Sequence, residues 1–166
     1  MSRGFVKEDD LELAGTDLPE RPISELPNYV TQNGLKQLKE TVNALFDERD
    51  LLATNKEDPT TEQRLAMVDR DLRYVQARLE QAILVETPQN QRPSTVVFGT
   101  TVIVEDDEGK RHHFQIVGED EANIALGTVS YASPLAAALI GQGIGNNVRW
   151  KRPAGDLNLE IIDITY

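Results

Sequence analysis

Three acidic residues near the middle of the chain are the ones best suited to chemistry. Glu57, Asp58 and Glu62 lie close together around Pro59. Carboxylate oxygens are the ligands that Mg²⁺ prefers, so these side chains could contribute to a magnesium site whose other ligands come from another molecule. The alternative is that they solubilise a turn, with Asp58 capping the helix that follows. Three acidic residues on a turn do not define a metal site by themselves, and we predict no stably bound metal.

Other residue patterns that would support catalysis are missing from the sequence. There is no cysteine, which removes thiolate nucleophiles, disulfides and cysteine-ligated zinc. His112 and His113 are adjacent on a predicted strand, so they point to opposite faces of the sheet and cannot share a metal. The glycines at 141, 143 and 145 lack the setting of a nucleotide-binding loop. We therefore expect no cofactor and no self-sufficient enzyme.

The overall charge restricts the kind of partner. The 166 residues carry a formal net charge of -11. Binding to nucleic acid needs clustered lysine and arginine, so free nucleic acid is a poor partner and a basic protein surface is a better one. No apolar run approaches the length of about 18 residues that a membrane span needs, and charged residues interrupt the sequence after Met1. We expect a cytoplasmic monomer with no membrane partner.

The acidic residues are predicted to lie at the tip of a helical hairpin. Apolar residues alternate three and four apart in two segments, which is the pattern of a coiled-coil seam. The first seam contains Leu35, Leu38, Val42, Leu45 and Leu52, and the second contains Leu65, Val68, Leu72, Val75, Leu79 and Ala82. Corresponding residues of the two seams are equally distant from the Asp58-Pro59 turn, as an antiparallel pair requires. Each arm should have about 22 residues, with Thr31 as the N-cap of the first helix.

One polar residue interrupts the first seam. Arg49 takes a seam position opposite Val68. Its aliphatic stem can cover the seam while the guanidinium reaches water, so we interpret Arg49 as tolerated there. The hairpin is assigned to residues 29–87, with its tip near 56–62. Residues 1–28 are acidic, contain three prolines and show no periodicity, which predicts a mostly disordered leader. The alternative is that this leader packs over another surface.

From residue 93 onward the sequence favours strands. β-Branched runs at 96–98, 101–104 and 113–117, and further runs at 148–151 and 157–165, predict a mainly antiparallel sheet. Ser133 and Pro134 are a helix N-cap and first residue, and Gly141 is placed to end the short helix. The chain is therefore expected to be of the α+β class, with a helical hairpin and a β-rich domain over residues 93–166.

Six runs of this second part form a specific set of motifs, at residues 97–102, 114–122, 133–134, 139–141, 153–155 and 161–166. As a set they resemble the GreA/GreB family of bacterial transcript cleavage factors, and the similarity extends from residue 29 to residue 166. The resemblance implies an N-terminal coiled-coil hairpin that enters the secondary channel of RNA polymerase. It also implies an FKBP-like C-terminal domain that docks on the rim of that channel.

The resemblance also implies functional residues. Asp120, Glu121, Ser133 and Pro134 correspond to the family's polymerase-docking surface, although a strand end and a helix cap would equally account for them. In the family, acidic residues at the hairpin tip hold a catalytic Mg²⁺ of the polymerase and help to activate water against a backtracked transcript. Here the residues that would act in this way are the tip carboxylates named above.

The tip departs from the family pattern. A D-x-x-E-N motif followed by an aromatic residue is typical, whereas residues 56–62 read K-E-D-P-T-T-E. Each arm is also shorter than the family's by about two turns, or about 10 Å. Two modes of action stay open: stimulation of transcript cleavage, and occupation of the channel without cleavage. Outside the polymerase hypothesis are a peptidyl-prolyl isomerase, which the low aromatic content of 5% disfavours, and an adaptor acting through the acidic leader.

Overall fold

A computed structural model describes residues 18–166, and the chain divides into two compact units. The first unit contains residues 36–82 together with the described N-terminal residues 18–27. The second contains residues 28–35 and 83–166, so the start of the predicted hairpin belongs to it. No helix within residues 18–166 is both long enough and apolar enough to cross a membrane.

The first unit is built on two helices. Helix α1 covers Gln32–Leu52, a short 3-10 turn covers Ala53–Asn55, and helix α2 covers Pro59–Gln81. Proline suits the first position of a helix because it lacks the N–H that would have no partner there. The Asp58 carboxylate caps α2 by accepting a hydrogen bond from the Thr60 amide at 3.2 Å. The predicted helices, turn and cap are confirmed.

The predicted seam is buried along its central part. The buried residues are Leu38, Val42, Val68, Leu72 and Val75. Arg49, the polar residue of the seam, places Nε 2.8 Å from Oδ1 of Asp69 on the other arm, and its side chain is 50% exposed. A second pair, in which Arg64 donates two hydrogen bonds to Glu48 at 2.6 and 2.9 Å, also joins the arms. Hydrogen bonding to Arg64 lowers the pKa of Glu48 despite partial desolvation.

Part of the predicted leader is held against α2. The carboxylate of Glu20 accepts hydrogen bonds from the Arg73 guanidinium at 2.6 to 3.0 Å. The Arg21 guanidinium lies 3.9 Å from the centroid of the Tyr74 ring and 3.4 Å from Oδ1 of Asp71. These contacts are made by residues 18–27 of the leader predicted over 1–28, whose disorder stays a prediction. Residues 1–17 of that prediction lie outside the described residues.

The second unit contains a five-stranded sheet. Two short strands, β1 (Tyr29–Val30) and β2 (Ile83–Leu84), form a separate parallel pair. The strands of the five-stranded sheet are β3 (Thr101–Asp106), β4 (Arg111–Val117), β5 (Thr128–Ser130), β6 (Asn147–Trp150) and β7 (Leu157–Thr165), and helix α3 covers Pro134–Leu139. The order of the strands in the sheet is β5-β4-β3-β7-β6.

The predicted sheet is mainly antiparallel, as expected, but it has two features that were not predicted. Strands β4 and β5 pair in parallel, whereas β3-β4, β3-β7 and β6-β7 are antiparallel, so the sheet is mixed. Residues 96–98, which were predicted to form a strand, do not form one in the structure. Val96 is fully buried, and it exchanges backbone hydrogen bonds with the loop at Gly141 and Gln142 at 2.8 Å. The β-branched run therefore supplies a core residue on an irregular segment.

The core of this unit lies between the sheet and α3. Its members are inward-facing strand residues together with residues of the helix: Val96, Val102, Val104, Phe114, Ile116, Val129, Leu135, Ala136, Leu139, Val148, Leu159, Ile161 and Ile164. The helix ends where predicted, since Gly141 has a φ of +87°, a conformation that glycine adopts without a steric penalty. The α+β class is confirmed.

Candidate functional site

The tip carboxylates predicted from the sequence share one turn but not one role. The Asp58 carboxylate accepts from the Thr60 amide and from the Thr61 hydroxyl, both at 3.2 Å, so it is engaged in capping α2. Glu57 and Glu62 are exposed. Within residues 18–166, no group of three or more histidine and carboxylate side chains is placed to hold a metal ion together.

Two predicted docking residues line a cavity in the C-terminal unit. Ser133 caps α3 by accepting a hydrogen bond from the Ala136 amide at 3.2 Å, and Pro134 is the first residue of the helix. Both lie on the wall of a cavity of about 410 Å³. The remaining wall consists of Ala122, Ile124, Thr128, Val129, Ser130, Leu135, Trp150, Lys151, Arg152 and Pro153. The residues of the helix cap therefore form part of the cavity wall.

The sequence did not single out Trp150 and Arg152, which are prominent in this cavity. The Trp150 ring packs edge-on against Phe114, with 5.6 Å between centroids, and the Arg152 guanidinium lies 5.4 Å from the Trp150 centroid. Lys151 adds a second cation to the wall. In a chain with a net charge of -11, a single tryptophan followed by two cations is a signal that could have pointed to this surface.

Glu121, another predicted docking residue, binds the first turn of α1. Its half-buried carboxylate accepts hydrogen bonds from the Thr31 amide at 3.3 Å, the Thr31 hydroxyl and the Gly118 amide at 3.4 Å. The Thr31 hydroxyl oxygen in turn accepts from the Gly34 amide at 3.0 Å, as an N-cap does. Asp120, by contrast, is exposed. The cavity wall includes neither acidic residue.

Two glycines make room for this arrangement. A Cβ atom on Gly34 would overlap the Glu121 carboxylate, and one on Gly118 would overlap the carbonyl oxygen of Tyr29. The close approach of the two segments therefore depends on the absence of a side chain at both positions.

Comparison with known proteins identifies the family. Residues 90–166 match the family described as "Transcription elongation factor, GreA/GreB, C-term". The chain is 38% identical to transcription elongation factor GreA of Pelobacter propionicus over 116 residues, which is 69% of this chain and 73% of that protein. It is 33% identical to GreA of Neisseria meningitidis serogroup A over 153 residues, or 87% and 97% of the two chains.

Solved structures of GreA/GreB from Nitrosomonas europaea and of Gfh1 from Thermus thermophilus also match. The first is 21% identical with a TM-score of 0.42, covering 83% of this chain and 98% of the other. The second is 20% identical with a TM-score of 0.41, covering 85% and 100%. The sequence relationships show that the chain belongs to the GreA/GreB family of transcription elongation factors. The resemblance found in the sequence is confirmed.

Proposed function

We propose that this protein binds bacterial RNA polymerase, with its C-terminal unit on the rim of the secondary channel and its helical hairpin in the channel. Family membership supports this assignment. The protein acts as an accessory factor that changes what the polymerase does, and it carries no cofactor of its own. Any magnesium chemistry at the hairpin tip uses the metal of the polymerase.

The cavity at Ser133 and Pro134 is the proposed docking point on the C-terminal unit. Its wall is largely apolar, with Trp150 as the aromatic member and Lys151 and Arg152 as cations. Apolar pockets of this kind accept anchor side chains at protein interfaces, where a few residues supply most of the binding energy. We infer that the rim of the polymerase presents an apolar side chain flanked by carboxylates to this cavity.

At the tip, the capping role of Asp58 favours occupation of the channel without cleavage. A Mg²⁺ ion at about 2.1 Å would compete with the Thr60 amide and the Thr61 hydroxyl for the oxygens of this carboxylate. Loss of such a cap costs about 1 kcal/mol of helix stability. The arms have 21 and 23 residues, and the resemblance to the family implies that typical arms are longer by about two turns, or about 10 Å. We propose that the factor alters elongation, pausing or the access of other channel factors.

Transcript shortening in a stalled, backtracked elongation complex distinguishes the two modes. The wild-type protein should leave the labelled transcript intact and should inhibit cleavage by a cleavage-competent Gre factor. Asp58→Asn is the matched variant, because asparagine retains the cap but removes the charge that binds metal. It should behave as the wild type does.

Cleavage by the wild type that disappears in Asp58→Asn and in a Glu57→Ala variant would establish the cleaving mode instead. Failure of the wild-type protein to bind polymerase would reject both modes. For the docking surface, Lys151→Glu should weaken polymerase binding about tenfold by placing an anion on the cavity wall. Arg149→Glu is the control, since Arg149 pairs with Asp156 at 3.0 Å and is not part of that wall.

A further inference from the structure

Two short segments that are far apart in the sequence meet within the second unit. Thr31 is the N-cap of α1 and Gly34 lies in its first turn, and Gly118 and Glu121 lie in the turn after β4. Thr31 and Glu121 are separated by 90 positions, yet the Glu121 carboxylate accepts hydrogen bonds from both the amide and the hydroxyl of Thr31. The two motifs thus form one structural feature, which we call the α1 clamp.

The carboxylate of the clamp is committed to internal donors. It accepts hydrogen bonds from the Thr31 amide, the Thr31 hydroxyl and the Gly118 amide, and Thr31 itself is only 8% exposed. Hydrogen bonds to an ionised acceptor are stronger than neutral ones, and a negative charge at a helix N-terminus is stabilised by the helix dipole. A carboxylate with these partners is poorly placed to serve as a surface ligand for a basic residue of another protein.

Gly34 provides an independent sign of the clamp. Glycine is a poor residue for a helix, and alanine is more favourable by about 1 kcal/mol at an ordinary helical position. Here a Cβ would overlap the carboxylate of Glu121, so glycine is required to seat it. Glycine at position 34 therefore lowers the helix propensity of the first turn but allows the contact with Glu121.

We infer that Glu121 is a positioning residue, which acts by holding the first turn of α1 through Thr31 and does not contact the polymerase. This inference rests on the proposed function of the hairpin. Helix α1 has 21 residues and is about 32 Å long. A change of about 10° in its direction at the first turn moves its far end by about 5 Å, whereas functional groups must be held to about 0.5 Å. Glu121 therefore affects what the hairpin does and leaves the strength of docking unchanged.

A double-mutant cycle on stability tests the clamp without polymerase. Gly34→Ala is made in the wild type and in Glu121→Ala, and the unfolding equilibrium constant is measured in denaturant. In the wild type the substitution should raise the unfolding constant. In Glu121→Ala it should lower the constant about fivefold, because the gain in helix propensity then meets no obstacle. Stabilisation by Gly34→Ala in both backgrounds would overturn the inference.

The functional test separates the concentration of factor that gives half of its effect on elongation from the effect at saturation. Thr31→Val, Gly34→Ala and Glu121→Ala should each reduce the saturating effect several-fold and change the half-saturating concentration by less than about twofold. The double variant Thr31→Val/Glu121→Ala should be no worse than Glu121→Ala alone. Thr31→Ser keeps the hydroxyl and should retain the full effect.

A different result identifies Glu121 as a docking residue. In that case Glu121→Ala alone would raise the half-saturating concentration about tenfold, while Thr31→Val and Gly34→Ala would resemble the wild type. If the wild-type protein does not act on polymerase at all, the proposed function fails, and the stability cycle alone decides whether the clamp exists.

Discussion

Replacement of Leu72 by alanine should destabilise the hairpin unit by about 2 to 3 kcal/mol. Leu72 is 4% exposed and lies between Val68 and Val75 in the buried seam. Truncation of a buried leucine typically costs about 2 to 5 kcal/mol, which includes the lost transfer free energy and the cavity that remains. Because two helices can close part of such a cavity, we expect a value in the lower half of that range.

Leu51→Ala is the matched control. Leu51 is 74% exposed, so only about a quarter of its surface contributes to stability, and its truncation should cost about 0.5 kcal/mol. Urea unfolding followed by far-ultraviolet circular dichroism reports mainly on the helices. Fluorescence of Trp150, the one tryptophan in the chain, reports on the C-terminal unit.

With a denaturant dependence of about 2 kcal/mol per molar urea, Leu72→Ala should lower the midpoint of the helical transition by about 1 to 1.5 M. The shift for Leu51→Ala should be about 0.3 M or less. Equal shifts for the two variants would refute the assignment of Leu72 to the seam.

Two further predictions concern single contacts. Glu20→Gln should accelerate hydrogen exchange over residues 18–26, because it weakens the ion pair with Arg73, and high salt should do the same to the wild type. Glu25→Gln serves as the control. Equal exchange rates in the two variants would contradict a role for the ion pair. Hydrogen bonding to His112, with two backbone amides, lowers the pKa of Asp106 against a smaller effect of desolvation. The Asp106 carboxylate therefore stabilises the fold above the ordinary aspartate range and loses this contribution as pH falls through its lower folded-state pKa, so the stability advantage over Asp106→Asn should shrink on acidification.

The elements with a local signal were predicted well. The alternation of apolar residues predicted both helices, because burial of one helix face imposes that spacing wherever the helix lies. Asp58 and Pro59 predicted the start of α2, since both residues act through the backbone of their own turn. Strand β7 has the predicted bounds of residues 157–165.

The elements that depend on distant partners were not predicted. Strand β5 has only three residues, too few to show a periodic pattern in the sequence. Its parallel pairing with β4 also depends on the connection at residues 118–127, which brings the two strands side by side. Val96 has the composition of a strand residue but pairs with the loop at Gly141. Arg78 is fully buried on α2, although arginine is among the residues most often exposed.

The candidate site also combines residues with a local sequence signal and residues that only the tertiary structure brings together. The local pattern identified Ser133 and Pro134 as a helix cap, the family resemblance identified them as site residues, and the cavity wall contains both. The sequence did not identify Trp150 or Arg152, which reach that wall from the end of β6 and the turn that follows. Their contribution depends on the order of strands in the sheet, which residue types alone do not reveal.

By itself the sequence determined the helices of the hairpin, the caps, the α+β class and the family, because these depend on short-range spacing and on motifs. Only the tertiary structure decided that Glu121 binds Thr31 at the start of α1. It also decided that the Glu20 carboxylate binds Arg73 on α2. Each of these contacts requires a charged side chain to reach particular donors. Which donors lie within reach is determined by the packing of the chain, and for Glu121 and Glu20 those donors are remote in sequence.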